Sequence, residues 1–120
     1  MSLFRFANAE EVTRYTTEDG QDWIEFRSEL RKDEVNKLLG RAPTGDRDIE
    51  GGLEFLEHFF RIATVRWSMV DDGGNAVAPT VEVYRALEAR GARQIDEWIG
   101  QHMRKTVGTE VEEMEGESLS

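Results

Sequence analysis

The most constraining feature of this sequence is a long periodic apolar run between Ile49 and Arg66. At about 100° per residue, its apolar side chains fall on two adjoining stripes of one helix and cover about half of its circumference. The two stripes consist of Ile49, Leu53, Leu56, Phe60, Ala63 and Trp67, and of Phe55, Phe59 and Ile62. An arc this wide predicts either a central helix covered on two sides or a helix that meets a partner with part of its arc. We favour the central helix.

Composition limits the classes of protein to which this chain can belong. Its 120 residues are 38% hydrophobic and 33% charged, as in one soluble globular domain. No apolar run approaches the roughly 20 residues of a membrane span, and no signal-peptide pattern opens the sequence. A net charge of −10 argues against nucleic acid as a partner, since phosphate binding needs a basic surface. The absence of cysteine excludes disulfides and thiolate metal sites.

Two alternating runs, residues 12–17 and 22–28, flank an Asp-Gly turn and predict a β-hairpin, and the first run is rich in β-branched residues. In the second run Ile24 and Phe26 share one face, which we expect to pack on helices. A two-stranded hairpin is marginal in water and therefore needs the rest of the domain for support.

Helical patterns follow the hairpin. We expect four helices, over residues 30–40, over Ile49–Arg66, after a Pro79-Thr80 start, and over Ala92–Arg104, with Gly91 breaking the last two apart. Asp48 is the expected N-cap of the central helix. The predicted fold class is mainly α, a small domain of four helices with an N-terminal β-hairpin and a disordered acidic C-terminal tail.

The predicted organisation has three parts, in which residues 1–11 form an arm, 12–105 a single α-rich globular domain, and 106–120 an acidic flexible tail. Five glutamates and no basic residue lie in residues 110–120. A segment of this kind is typical of a solvated terminus, although it could also meet a basic partner.

No motif in the sequence indicates a chemistry. Glu54 and His58 are four residues apart on the polar face of the central helix, without a second such pair, and we expect both His58 and His102 to be surface residues. The Asp-Asp-Gly-Gly-Asn stretch lacks the calcium-ligand pattern, and residues 40–46 lack the Gly-Lys-Ser/Thr of a phosphate loop. We therefore predict a non-enzyme with no catalytic, cofactor-binding or metal-binding residues.

Candidate partner-binding residues come from the aromatic and apolar positions. The three tryptophans are expected to anchor one core, with the alternative that Trp23 lies at an interface. Within the central helix, Phe55, Phe59 and Ile62 are the expected partner-facing residues.

The order of the predicted elements, and of the residues that begin and end them, resembles that of a known family. A strand-helix module, residues 23–39, precedes a helix that leads into Trp67, an Asp/Gly turn at residues 71–73, and a Pro79-Thr80-capped helix that ends in Leu87. This pattern, spread over most of residues 12–105, resembles the tail assembly chaperones of long-tailed bacteriophages. Arg31 departs from it, because a capping Ser or Thr is expected there.

The resemblance implies a non-catalytic protein of the host cytoplasm that coats the hydrophobic tape measure protein, helps to recruit tail tube subunits, and leaves the finished virion. It also implies that a longer, frameshifted form is common in the family, and it carries over no catalytic residue. The alternatives are a structural tail or head–tail protein retained in the virion, and a small acidic protein-interaction domain. Self-association is compatible with each of these functions.

Overall fold

A computed structural model describes residues 4–40 and 49–106, with the side chains of residues 49 and 50 excepted. Within these ranges, three strands form one antiparallel sheet in the order β1-β2-β3, and four helices accompany it. The elements are β1 (Val12–Thr16), β2 (Trp23–Arg27), α1 (Lys32–Gly40), α2 (Ile49–Ala63), β3 (Thr64–Trp67), α3 (Val81–Ala86) and α4 (Ala89–Thr106).

The predicted hairpin is confirmed. β1 pairs with β2 in a register that places Tyr15 opposite Ile24, and Gly20 takes the positive φ of 74° that its turn requires. Ile24 and Phe26 are 1% and 0% exposed, so the predicted inner face is the buried one. This face packs on the helices, with the Phe26 ring 5.7 Å from that of Phe59 on α2.

The mainly α fold class is wrong, because the described chain is a small α/β fold with a three-stranded sheet. Helix α2 ends at Ala63, and the next four residues form β3 against β2, although the helix was predicted to continue to Arg66. Thr64 and Val65 are β-branched and favour an extended strand over a helix end. Pairing with β3 also gives the second edge of β2 its hydrogen-bonding partners. If the helix had continued, that edge would have been left unpaired.

Helix α2 is the central helix, as the favoured alternative predicted. Phe59 and Phe60 are fully buried on adjacent stripes of its arc, and the helix packs against α1, α3, α4 and β3. Phe60 stacks on Tyr84 of α3 and also contacts Trp67 at the end of β3. Leu53, 57% exposed, is the exception on the arc.

The start of α3 is confirmed, and the break between the last two helices that was predicted at Gly91 is wrong. Thr80 caps α3, with its hydroxyl accepting a hydrogen bond from the Val83 amide at 3.2 Å. The helix ends after Ala86, where Leu87 takes an extended ψ of 152° and packs against the core. Gly91, the predicted break, lies inside α4. The two helices are instead separated at Leu87, and α4 begins at Ala89.

Several predictions lie outside the described residues, among them the loop at 41–48, the Asp48 cap and the acidic tail beyond Thr106. Across residues 4–40 and 49–106, no helix has both the length and the apolar character needed to cross a bilayer.

Candidate partner-binding groove

A short hairpin follows β3 and shapes the surface beside it. Val70 pairs with Ala76 across the turn, where one Asp71 carboxylate oxygen accepts hydrogen bonds from the Gly73 and Asn75 amides, both at 2.9 Å. These hydrogen bonds hold the pKa of Asp71 below its usual range. The Asp-Gly-rich turn is therefore closed by its own carboxylate.

The indole of Trp67 fixes this hairpin to the fold. Its Nε1–H donates a hydrogen bond to the Val77 carbonyl at 2.6 Å, while its ring packs on Phe60 at 5.5 Å. The Ser68 amide donates to the Trp23 carbonyl at 3.0 Å, and this bond continues the pairing of β3 with β2. The hairpin thus stands against the end of the sheet where β2 begins and β3 ends.

Two adjoining cavities, of about 740 and 410 Å³, open at this end of the sheet. We call them together the tryptophan groove. Their shared wall is formed by Gln21, Trp23, Trp67, Ser68, Met69 and Val70. The larger cavity extends along the hairpin to Pro79, and the smaller one extends inward to Ile95 and Trp98 of α4. The groove is largely apolar, and its most exposed large apolar wall residue is Val70, at 55%.

The three tryptophans play different parts in the groove. Trp67 and Trp98 are each 8% exposed and belong to the core, as predicted. Trp23 is half-buried, and the Arg14 guanidinium lies 3.9 Å from its ring centroid in a cation–π contact. Its ring therefore has a defined position while keeping part of its surface accessible.

Next to Trp23, the outer face of the sheet carries a buried carboxylate. Glu25 is 6% exposed and lies between two arginines, with Arg66 Nε 2.8 Å and Arg14 Nε 3.6 Å from its carboxylate oxygens. A buried charge is tolerated when it is paired in this way. The two guanidinium groups are themselves largely exposed, so this strongly acidic chain presents a local positive surface beside the groove.

The structure separates the four predicted partner-binding residues. Phe59 is fully buried and Phe55 is 9% exposed, so a partner could reach them only if the fold opened. Ile62 is half-buried against the core, away from the groove walls. Trp23 alone of the four lines the groove. The groove residues Met69 and Val70, which the sequence reasoning missed, follow a strand whose existence was not predicted.

The surface position predicted for His102 is wrong, because this residue is 1% exposed. Its Nε2 donates a hydrogen bond to the Arg27 carbonyl at 2.7 Å, and its Nδ1 accepts one from the Tyr15 hydroxyl at 3.0 Å. Burial lowers the pKa of His102, which favours the neutral ring that this pattern requires. The signal was in the sequence, since Ile95, Ile99 and His102 recur at helical spacing.

One further buried polar pair joins α3 to α4. The Tyr84 hydroxyl donates a hydrogen bond to the Asp96 carboxylate. Burial raises the pKa of Asp96, and burial with the neighbouring carboxylate raises that of Tyr84. Within the described ranges, no three His, Cys, Asp or Glu side chains gather in a metal-binding arrangement.

Comparisons with known proteins give no family assignment. No protein-family model matches this chain, and neither a curated protein nor a solved structure matches it significantly.

Proposed function

We propose that this protein is a non-catalytic tail assembly chaperone of a long-tailed bacteriophage, which acts in the host cytoplasm. Its client is the tape measure protein, and it helps to bring tail tube subunits to that client. The observation that carries the proposal is the tryptophan groove, an open and largely apolar surface on a strongly acidic chain.

An apolar groove is suited to a helical client. An amphipathic helix binds by placing its apolar side chains in such a groove, and tryptophans at the centre of an interface commonly contribute most of the binding energy. Trp23 is half-buried and lines both cavities, while the buried Trp67 and Trp98 give the groove fixed walls. A net charge of −10 would keep a complex with a hydrophobic client dispersed through like-charge repulsion.

Val70 provides a test that leaves the core intact. It is 55% exposed and lines both cavities, so Val70→Asp places a charge in the groove at small cost to the fold. Leu53 is the matched control, since it is 57% exposed, aliphatic, and located on α2 outside the groove walls. The two variants add the same charge and remove similar apolar surface.

The experiment is co-expression with the tape measure protein encoded by the same genome. The wild-type chain and Leu53→Asp should increase the soluble fraction of the tape measure protein and co-purify with it, and Val70→Asp should do neither. Thermal unfolding of the purified variants checks that both are folded. If the wild-type chain leaves the client's solubility unchanged, the proposed function is wrong.

Mass spectrometry of purified virions decides between the chaperone and a structural tail or head–tail protein. A chaperone leaves the particle, so the chain should be abundant in infected cells and missing from virions. A stoichiometric amount in virions would instead support the structural function.

A further inference from the structure

A second groove, distinct from the tryptophan groove, carries the opposite charge to the rest of the chain. A cavity of about 850 Å³ lies between the N-terminal arm, the start of α1 and the end of α4. Four basic residues and one carboxylate line it, whereas the whole chain has 15 basic and 25 acidic residues. The charged lining residues are Arg5, Arg31, Lys32, Lys105 and Glu29. We call this cavity the basic groove.

Two of its cations are already paired. Arg5 makes a double contact with the Glu29 carboxylate at 2.7 and 2.5 Å, and Arg31 binds Asp33 at 3.0 Å. Lys32 and Lys105 are both exposed and make no ion pair with another residue in the described part of the chain, and the Lys105 ammonium lies 5.2 Å from the centroid of the Tyr15 ring. The groove therefore keeps two ammonium groups able to bind an acidic segment.

An acidic segment follows the groove wall directly in the chain. Thr106 is both the last residue of α4 and part of the groove wall, and Glu110 lies four residues beyond it. At about 3.3–3.6 Å per residue, an extended chain carries Glu110 at most about 14 Å from Thr106. Glutamates 112, 113, 115 and 117 follow Glu110 over the next seven residues, which is at most about 25 Å of extended chain. Tethering over so few residues gives an effective concentration of the order of millimolar.

We propose that the segment from Glu110 to Glu117 binds in the basic groove of its own chain, with its carboxylates paired to Lys32 and Lys105. The segment joins the end of α4 to the start of α1, and it blocks this groove to acidic segments of other molecules. Because the pairs are at the surface, the contact is weak, and salt releases it. The contact does not depend on the proposed chaperone function.

Paramagnetic relaxation provides the test. The chain has no cysteine, so Ser118→Cys creates a single site for a nitroxide spin label in the full-length protein. We expect the label to broaden the amide signals of residues 28–32 and of Lys105, and to leave those of the 69–77 hairpin sharp. The broadening should disappear in about 1 M NaCl, where the Debye length falls to about 3 Å.

Charge reversal at the groove separates specific binding from general attraction. Lys32→Glu with Lys105→Glu should remove the broadening. The control, Lys37→Glu with Arg93→Glu, should preserve it, because it changes the net charge equally at exposed positions outside the groove wall. Amide spectra of both double variants verify the fold.

Three results would overturn the proposal. One is an absence of broadening at residues 28–32 in the wild-type background, and another is equal broadening in the two double variants. The third is broadening that is lost when labelled protein is diluted with an excess of unlabelled, isotopically silent protein, since that would show binding between molecules.

Discussion

His102 offers the sharpest test of the packing between the sheet and α4. It is the buried polar residue through which the last helix binds both strands of the hairpin, Tyr15 on β1 and Arg27 on β2. The rings of Phe26 and Phe59 lie 5.3 and 6.0 Å from its imidazole. Replacing it with leucine keeps an apolar side chain of similar reach in this site but removes both hydrogen bonds.

The expected loss of stability follows from the two groups left behind. In His102→Leu the Arg27 carbonyl and the Tyr15 hydroxyl lose their partner in a buried site, and each unsatisfied group costs about 1–3 kcal/mol. Tyr15 is 8% exposed and its hydroxyl can rotate toward another partner, so we expect the cost of its lost hydrogen bond to lie at the lower end of this range. We expect a destabilisation of about 2–4 kcal/mol, which is a large part of the total for a small domain.

The same residue makes stability depend on pH with a definite sign. Burial, and secondarily the nearby Lys105 ammonium, lower the pKa of His102 below its ordinary 6.5. The unfolded chain therefore takes up the proton first, so the stabilisation is present above about pH 6.5 and is lost as the pH falls from there through the lowered pKa of the folded state. One proton limits the slope to about 1.4 kcal/mol per pH unit.

Urea denaturation followed by tryptophan fluorescence between about pH 5 and 8 measures both effects. The difference in unfolding free energy between wild type and His102→Leu should be largest at the alkaline end and should shrink toward the acid end. Tyr15→Phe, which removes only one of the hydrogen bonds, is the control and should cost about 1 kcal/mol. A difference below about 0.5 kcal/mol, or one that is independent of pH, would refute the proposed hydrogen bonding of His102.

Substitutions at three further positions test the surroundings of the groove. Glu25→Gln should lower the unfolding free energy by about 1–3 kcal/mol, because it replaces charge-assisted hydrogen bonds in a site only 6% exposed; an unchanged urea midpoint would contradict this. Trp67→Phe should cost about 1–3 kcal/mol through the lost bond to Val77 and the lost ring volume, with a shift of the melting temperature as the measurement. Thr80→Ala should cost about 1 kcal/mol and Thr80→Ser much less, since serine keeps the capping oxygen; equal losses in a thermal melt would argue against the cap.

Local signals in the sequence were sufficient for part of the fold. The hairpin could be predicted because the alternation around Ile24 and Phe26 and the Asp-Gly turn act within a few residues of each other. The Thr80 cap follows equally local rules. The burial of His102 was missed because a polar residue was judged by its type, although its spacing from Ile95 and Ile99 placed it on the buried face of α4.

The third strand could not be predicted from local pattern, and the groove depends on it. Thr64 to Trp67 continue the apolar periodicity of α2, so a helix accounts for them equally well until the unpaired edge of β2 is taken into account. That edge lies some forty residues earlier in the chain. Its backbone N–H and C=O groups need hydrogen-bonding partners, and a local sequence pattern does not show where these partners come from. Once the four residues are extended, Trp67 reaches the end of the sheet beside Trp23, and its indole can hold the hairpin that follows. The accessible apolar surface therefore lies at the end of the sheet, with Trp23 and Val70, whereas Phe55 and Phe59 of the helix are buried.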